Sequence, residues 1–354
     1  MKVSFVLPGF SRKPVGGYKI AFEYANRLAR HGYDVELIFI NNNSLKRQKL
    51  PHILRKKLLF YATQYEPTWF KLDKRIKKIS YLDSSFRQKI KTDVAIATAV
   101  ETAYPTKRIC IANKKYYFIQ DFEDWNVSKD YLYSTYRLGF KNIVIAKWLK
   151  KIVDEYSLEP STYIRNPINT MQYKVYKDVD KRDTYTIGML YHSADYKGSS
   201  ETLNSICKLK SKFPKLKIIM FGTCNPPVNL PKWIKYYKNA SQKRTIEIYN
   251  RISIFVSGSI REGFGLTGLE SMACGAALVT TNYDGAKEYA INNVNALTVP
   301  VKDWNALCDK VEFLLRNNDV RKRLAEQGVK TAQNFSWDNA YQKLVNIIVN
   351  DEKE

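Results

Sequence analysis

Hydrophobic and polar positions along this chain switch repeatedly between two periods. Short apolar runs at residues 3–7, 34–40, 93–97, 116–120 and 142–146, and a briefer one at 162–165, read as strands. Between them apolar residues recur at helical spacing, as in residues 17–30, where Ile20, Ala21, Tyr24, Ala25 and Leu28 fall on one face. The alternation resumes at 184–190, 216–221, 252–257 and 277–280, and gives way to helices from about Asp303. Strands alternating with helices predict βαβ units and parallel sheets. The stretch 174–183 breaks the series with high charge and no apolar periodicity, so it reads as a linker. The chain therefore divides into a first α/β domain over 1–173, a second over 184–335, and a closing helix over 336–354. No internal repeat or low-complexity tract interrupts this plan.

A length of 354 residues with 45% hydrophobic content supports two sizeable cores and argues against disorder. The five cysteines, Cys110, Cys207, Cys224, Cys274 and Cys308, have neither paired nor metal-type spacing, and read as small hydrophobes in a reducing compartment. The opening MKVSFVLPGF turns to proline and glycine too early for a signal peptide. No apolar run reaches the roughly 18 residues that span a bilayer. A cytoplasmic protein is expected.

Charge changes this picture. The chain carries 58 Lys+Arg against 34 Asp+Glu, a net +24, and residues 44–91 alone hold 14 Lys/Arg against Glu66, Asp73 and Asp83. Interleaved with these cations are Leu54, Leu58, Leu59, Phe60, Tyr61, Tyr65, Trp69, Phe70, Leu72 and Ile76. Basic residues mixed with aromatic ones suit an anionic membrane surface, so 44–91 reads as a basic-aromatic insertion in the first domain. A solvated lysine-rich face and a nucleic-acid surface are the competing readings, and no nucleic-acid-binding module signature is present.

The candidate chemistry is concentrated between Glu262 and Glu270, which bracket Gly263, Phe264, Gly265, Leu266, Thr267, Gly268 and Leu269. Two carboxylates flanking a glycine turn that opens a helix set hydroxyl-binding groups beside free backbone N–H donors, which suits a sugar joined to a diphosphate. The same residues spell Gly263-x-Gly265-x-x-Gly268, a dinucleotide pattern. A polar stretch separates that pattern from its strand, and it stands late in the chain, so it fits the dinucleotide fingerprint poorly. The segment REGFGLTGLESMACG resembles the signature of the retaining GT-B glycosyltransferases, glycosyltransferase family 4 in particular. That resemblance implies two Rossmann-like domains with parallel sheets facing a cleft, the acceptor held mainly by the first and the nucleotide-sugar by the second.

Further segments are similar to the same family. Gly16 and Gly17 follow the first strand and start a helix, and by resemblance lie against the donor diphosphate or the acceptor. Lys197-Gly198 resembles the Lys-Gly that sets an ammonium on the departing diphosphate. Where the family usually has a second cation the chain has Met189, and Lys19, Arg165 and His192 are the candidates to replace it. Gly285 and Glu288 look like the glycine turn and second acidic position, and Phe335-Ser336-Trp337-Asp338 like the start of a helix that returns to the first domain.

A narrower resemblance, through DVAIATAVETAY, YYFIQDFEDW and STYRLGFKNIVIAKW, points to rhamnosyltransferases of bacterial cell-surface glycans. Many family members place a histidine where Gln120-Asp121 stand here, and His31, His52 and His192 all lie elsewhere. Gln120, Asp121, Glu123 and Asp124 are then the polar groups of that loop. Asp178-x-Asp180 matches a metal-binding pair of another transferase fold but falls in the linker.

The resemblance implies transfer of a sugar, L-rhamnose being the candidate, without metal or other cofactor, from a dTDP- or UDP-linked donor to a lipid-linked glycan at the inner face of the plasma membrane. Glu262, Lys197 and Asp121 are the expected catalytic residues. Gly16, Gly17, Gly263, Phe264, Gly265, Leu266, Thr267, Glu270 and Glu288 are the expected donor-binding set. A sugar-nucleotide epimerase or phosphorylase of the same fold, and a non-catalytic basic membrane scaffold, are the alternatives.

Overall fold

The computed structural model describes residues 1–44 and 50–350, with the Asn350 side chain outside the description. The chain forms two compact units, Met1–Arg165 together with the chain from Tyr341 on, and Asn166–Ala340.

The first unit is built on a seven-stranded sheet in the order Lys77–Tyr81, Asp34–Ile40, Lys2–Leu7, Val94–Ala97, Lys114–Ile119, Lys141–Val144, Thr162–Tyr163. Every pairing is parallel. The central strands are largely apolar because helices cover both faces, and Phe5, Val6, Leu37, Ile38, Ala95 and Ile96 are buried. The described part of 44–91 is a crossover within the sheet rather than an insertion: it supplies the helix His52–Tyr65 and the edge strand Lys77–Tyr81. Its strand reads KKISY, and lysines of this kind blunt an exposed edge while hiding the strand from a hydrophobicity pattern. Lys46, Arg47 and Lys49 lie outside the described residues.

The helix Trp337–Asn350 ends in the first unit. Lys114 Nζ donates to the Ile348 carbonyl at 3.1 Å and the Tyr116 hydroxyl to that of Ile347 at 2.9 Å. The Tyr341 ring stacks on His31 at 4.8 Å.

The second unit is a six-stranded parallel sheet in the order Ile234–Lys238, Lys217–Gly222, Thr186–Leu190, Ile254–Ser257, Ala277–Thr281, Ala296–Val299. Its core joins Ile187, Met189, Ile218, Ile254, Val256 and Val279 to Leu307, Val311 and Leu324 of the closing helices.

The boundary between units falls at Arg165, earlier than the 173 expected, and 174–183 is not a free linker. Asn250 Oδ1 accepts the N–H groups of Tyr176 and Lys177, and its amide donates to the Lys174 carbonyl. Arg182 is buried, and its guanidinium donates to the carbonyls of Lys177, Tyr249, Ile252 and Cys274. One planar fork satisfying four carbonyls fastens a polar stretch to the domain without any apolar pattern. Asp178 caps its own turn and Asp180 pairs with Lys322, so both are engaged in local structure. Among the described residues, no group of three His, Cys, Asp or Glu side chains is placed to hold a metal ion, and no helix is long and apolar enough to cross a membrane.

Candidate functional site

In the second unit, two loops leave the carboxyl ends of adjacent parallel strands, where ligands of open α/β sheets bind. The first follows Thr186–Leu190 and makes a 3₁₀ turn, Asp195–Lys197, before the helix Ser199–Cys207. Gly198 joins turn to helix at φ +53°, and a side chain there would strike the Gly258 carbonyl at 2.2 Å, so the two loops meet backbone to backbone. The second follows Ile254–Ser257 and leads into the helix Leu266–Ala273. The Tyr196 carbonyl accepts the N–H groups of Ile260 and Arg261 and fastens one loop to the other.

This junction brings Lys197 and Glu262 together. Lys197 Nζ stands 3.1 Å from Glu262 Oε2, with both side chains mostly buried. The Ser259 hydroxyl donates to Glu262 Oε1 at 2.5 Å, and the Thr281 hydroxyl donates to the Ser259 carbonyl, which fixes that serine. Lys197, Glu262, Ser199, Ser257 and Thr267 line one recess with Met189 at its floor. A cation, a carboxylate, hydroxyls and a helix start thus converge on one small space, an arrangement that binds an anion next to a polyol.

The helix start is built by Gly265. It lies at φ +84°, and a Cβ there would come 1.9 Å from the Tyr283 hydroxyl. The Tyr289 hydroxyl donates to the Gly265 carbonyl at 2.7 Å and lies 3.1 Å from that of Tyr283. Two buried tyrosines therefore hold the turn so that the first amides of the helix stay free of intrahelical partners. Leu266 and Thr267 are partly exposed there and Gly263 is buried. The Phe264 ring is buried against Tyr289 and Phe335, at 5.7 and 6.1 Å, so this residue offers the site its backbone. Glu270 is buried in the second turn, where Tyr249 donates to its Oε2 at 3.3 Å, and Glu288 ends the 3₁₀ turn Ala286–Glu288, half-buried.

His192 sits on the first loop. Its ring Nδ1 accepts the Ala194 N–H, and burial, with the Lys197 ammonium beside it, holds its pKa below the ordinary histidine value. Its charged form is thereby disfavoured, and the ring serves the loop as a hydrogen-bonding group.

In the first unit, Gly16 and Gly17 open the helix Gly16–Arg30. Gln120 Nε2 donates to the Gly17 carbonyl at 3.3 Å, and a side chain on Gly17 would press against that amide at 3.2 Å. Asp121 follows directly and accepts the N–H of Phe122, so the carboxylate is fixed locally. Glu123 is buried, and its carboxylate accepts the Val100 N–H at the start of the helix Val100–Ile109. Burial, only partly offset by that N–H, pushes its pKa up to about 8. Sequence reasoning missed Ser259, Tyr249, Tyr283 and Tyr289, which support the site from positions that no local spacing marks.

Residues 174–331 match the model of a family described as glycosyl transferases group 1. That match covers most of the second unit. The glycosyl transferases group 1 match includes Lys197, Glu262, Glu270 and Glu288. The chain is also similar to the capsular polysaccharide biosynthesis glycosyltransferase CapM of Staphylococcus aureus, 26% identical over 193 residues covering 50% of this chain and 48% of CapM. A second relative is the N,N'-diacetylbacillosaminyl-diphospho-undecaprenol alpha-1,3-N-acetylgalactosaminyltransferase of Campylobacter jejuni, 26% identical over 164 residues, 45% of this chain and 42% of that protein. The chain spans about half the length of the curated relatives it matches. Among solved structures, Anabaena HepE in complex with UDP and glucose superposes with a TM-score of 0.74 at 14% identity, covering 99% of this chain and 100% of that one. The fold is GT-B, two Rossmann-like domains.

Proposed function

We propose that this chain is a retaining glycosyltransferase that moves a sugar from a nucleoside diphosphate donor to a glycan. The observation that carries the reading is the Lys197–Glu262 pair at 3.1 Å, set at the start of the helix Leu266–Ala273 in a group 1 domain. The donor diphosphate draws the Lys197 ammonium to its oxygens and frees Glu262 to accept hydrogen bonds from the sugar hydroxyls. Glu270, held by Tyr249, takes the ribose. The anomeric carbon–oxygen bond to the diphosphate breaks as the acceptor oxygen bonds to the same carbon from the same face, and the acceptor proton passes to the leaving phosphate oxygen. Lys197 and the amides from Leu266 onward stabilise the charge growing there, the electrostatic role of an oxyanion hole, without a metal ion. Asp121 is the third catalytic residue of this reading, and Gly16, Gly17 and Glu288 belong to its donor-binding set.

In its finer form the donor is dTDP-L-rhamnose, supported by the first-domain segments YYFIQDFEDW and STYRLGFKNIVIAKW, with UDP-sugars the alternative that HepE's ligands favour. The acceptor is a lipid-linked glycan at the cytoplasmic face of the plasma membrane, supported by the diphospho-undecaprenol in the name of the Campylobacter relative. A thermal-shift panel of UDP-, dTDP- and GDP-sugars tests the donor, since a ligand at 100 times its dissociation constant stabilises the folded state by about 2.7 kcal/mol. Anomeric proton couplings of the product then read the stereochemistry. Inversion of configuration, or donor turnover that needs no acceptor, would overturn the proposal, and a shift with UDP-hexoses alone would remove rhamnose.

A further inference from the structure

The crossover helix His52–Tyr65 is unusual for a parallel sheet. Such helices normally bury a broad apolar stripe, whereas this one fully buries only Leu59 and Thr63. Arg55 turns inward and donates to the Ser44 and Asn42 carbonyls. The outer face is apolar: Ile53, Tyr61 and Tyr65 are 74%, 69% and 75% exposed, and Leu54, Leu58 and Phe60 accompany them. Leu54, Leu58, Tyr61 and Tyr65 follow one another at spacings of four, three and four, so they form a single strip along the helix. Lys56 and Lys57 are exposed beside it, and the helix contains no acidic residue.

The other aromatic residues of the basic segment do not share this exposure. Trp69 donates its indole N–H to the Ser11 carbonyl, and the rings of Trp69 and Phe70 pack 5.8 and 5.5 Å from Phe22. The segment thus separates into a packed part and one outward helix.

We propose that the helix His52–Tyr65 lies in the interface of an anionic bilayer, its Leu54–Leu58–Tyr61–Tyr65 strip entering the acyl boundary and Lys56 and Lys57 reaching lipid phosphates. Aliphatic side chains gain from that boundary, tyrosine hydroxyls stay at headgroup level, and cations without neighbouring acids are attracted to the surface. Phosphates of nucleic acid would leave Ile53, Leu54 and Leu58 unsatisfied. A second copy would bring like charges together, because the chain carries +24. This docking goes beyond the transfer reaction and does not rest on it.

Co-sedimentation of the full chain with vesicles of phosphatidylcholine alone, or of equimolar phosphatidylcholine and phosphatidylglycerol, tests it. Wild type pellets with the anionic vesicles. Ile53→Gln/Tyr61→Gln/Tyr65→Gln lowers that partitioning on the order of tenfold. Lys56→Gln/Lys57→Gln lowers it roughly fivefold per cation, on anionic vesicles only. If the triple variant melts lower than wild type, Tyr65→Gln alone, at the helix end, repeats the measurement. No binding by wild type, unchanged binding by the glutamine variants, or a dimer that the triple variant dissociates without any vesicle binding would each overturn the proposal. Nucleotide thermal shifts on the same preparations keep the outcome separate from that of the transfer reaction.

Discussion

Removing the Lys197 ammonium gives the sharpest test of the site, because the loss acts through two charges. In Lys197→Ala the diphosphate loses the cation that would stabilise its developing charge, worth about 10²- to 10³-fold in rate by analogy with one oxyanion donor. The same change leaves Glu262 held by the Ser259 hydroxyl, a carboxylate in a largely buried recess now facing an incoming dianion. Donor affinity should therefore fall as well as turnover. Glu262→Gln keeps the shape and weakens charge-assisted hydrogen bonds to sugar hydroxyls, each about 1.5–3 kcal/mol. Since the two side chains are in contact, the effects are not additive. The double variant Lys197→Ala/Glu262→Gln relieves the repulsion and should bind donor more tightly than Lys197→Ala alone, with a coupling of about 1–3 kcal/mol. Steady-state kinetics in donor concentration, beside thermal melts of all four proteins, make the measurement. Strict additivity in kcat/KM, or wild-type activity in Lys197→Ala, refutes the reasoning.

Gly265→Ala should destabilise the second unit by at least the roughly 1–2 kcal/mol of left-handed backbone strain, with more from displacing the Tyr283 hydroxyl, read as a lowered melting temperature. Glu123 gives a pH dependence whose sign follows from its raised pKa. Between about 4.5 and about 8 the unfolded chain releases a proton that the native carboxyl keeps, so this group's stabilising contribution is present in acid and is lost as pH rises through that window. Glu123→Gln should flatten that slope in denaturant titrations across the range, and an unchanged slope would mean the native carboxyl is already ionised.

Legibility followed burial on both faces. Apolar strands such as residues 3–7 and 34–40 announced the sheets, whereas KKISY and IKYYK, edge strands with lysines on them, did not. The stretch 174–183 reads as a linker because Arg182 has the sequence signature of a solvated charge and acquires its four carbonyl partners only in the folded domain. The glycine turn and its glutamates were readable because their geometry is set by close neighbours in sequence. Its supports were not: Tyr289 reaches Gly265 across 24 positions and Tyr249 reaches Glu270 across 21. The spacing likewise marks Phe264 without saying which way its ring turns, which is inward against Tyr289 and Phe335.

The returning helix Trp337–Asn350 ties the first unit to the order of synthesis. Lys114 meets the Ile348 carbonyl across 234 positions, so this strand of the sheet is translated well before the helix that meets it. Until that helix is made, the Lys114 ammonium and the Tyr116 hydroxyl lack these two carbonyl acceptors. Truncation ahead of Tyr341 would thus be felt in the stability of the first unit, far back along the sequence.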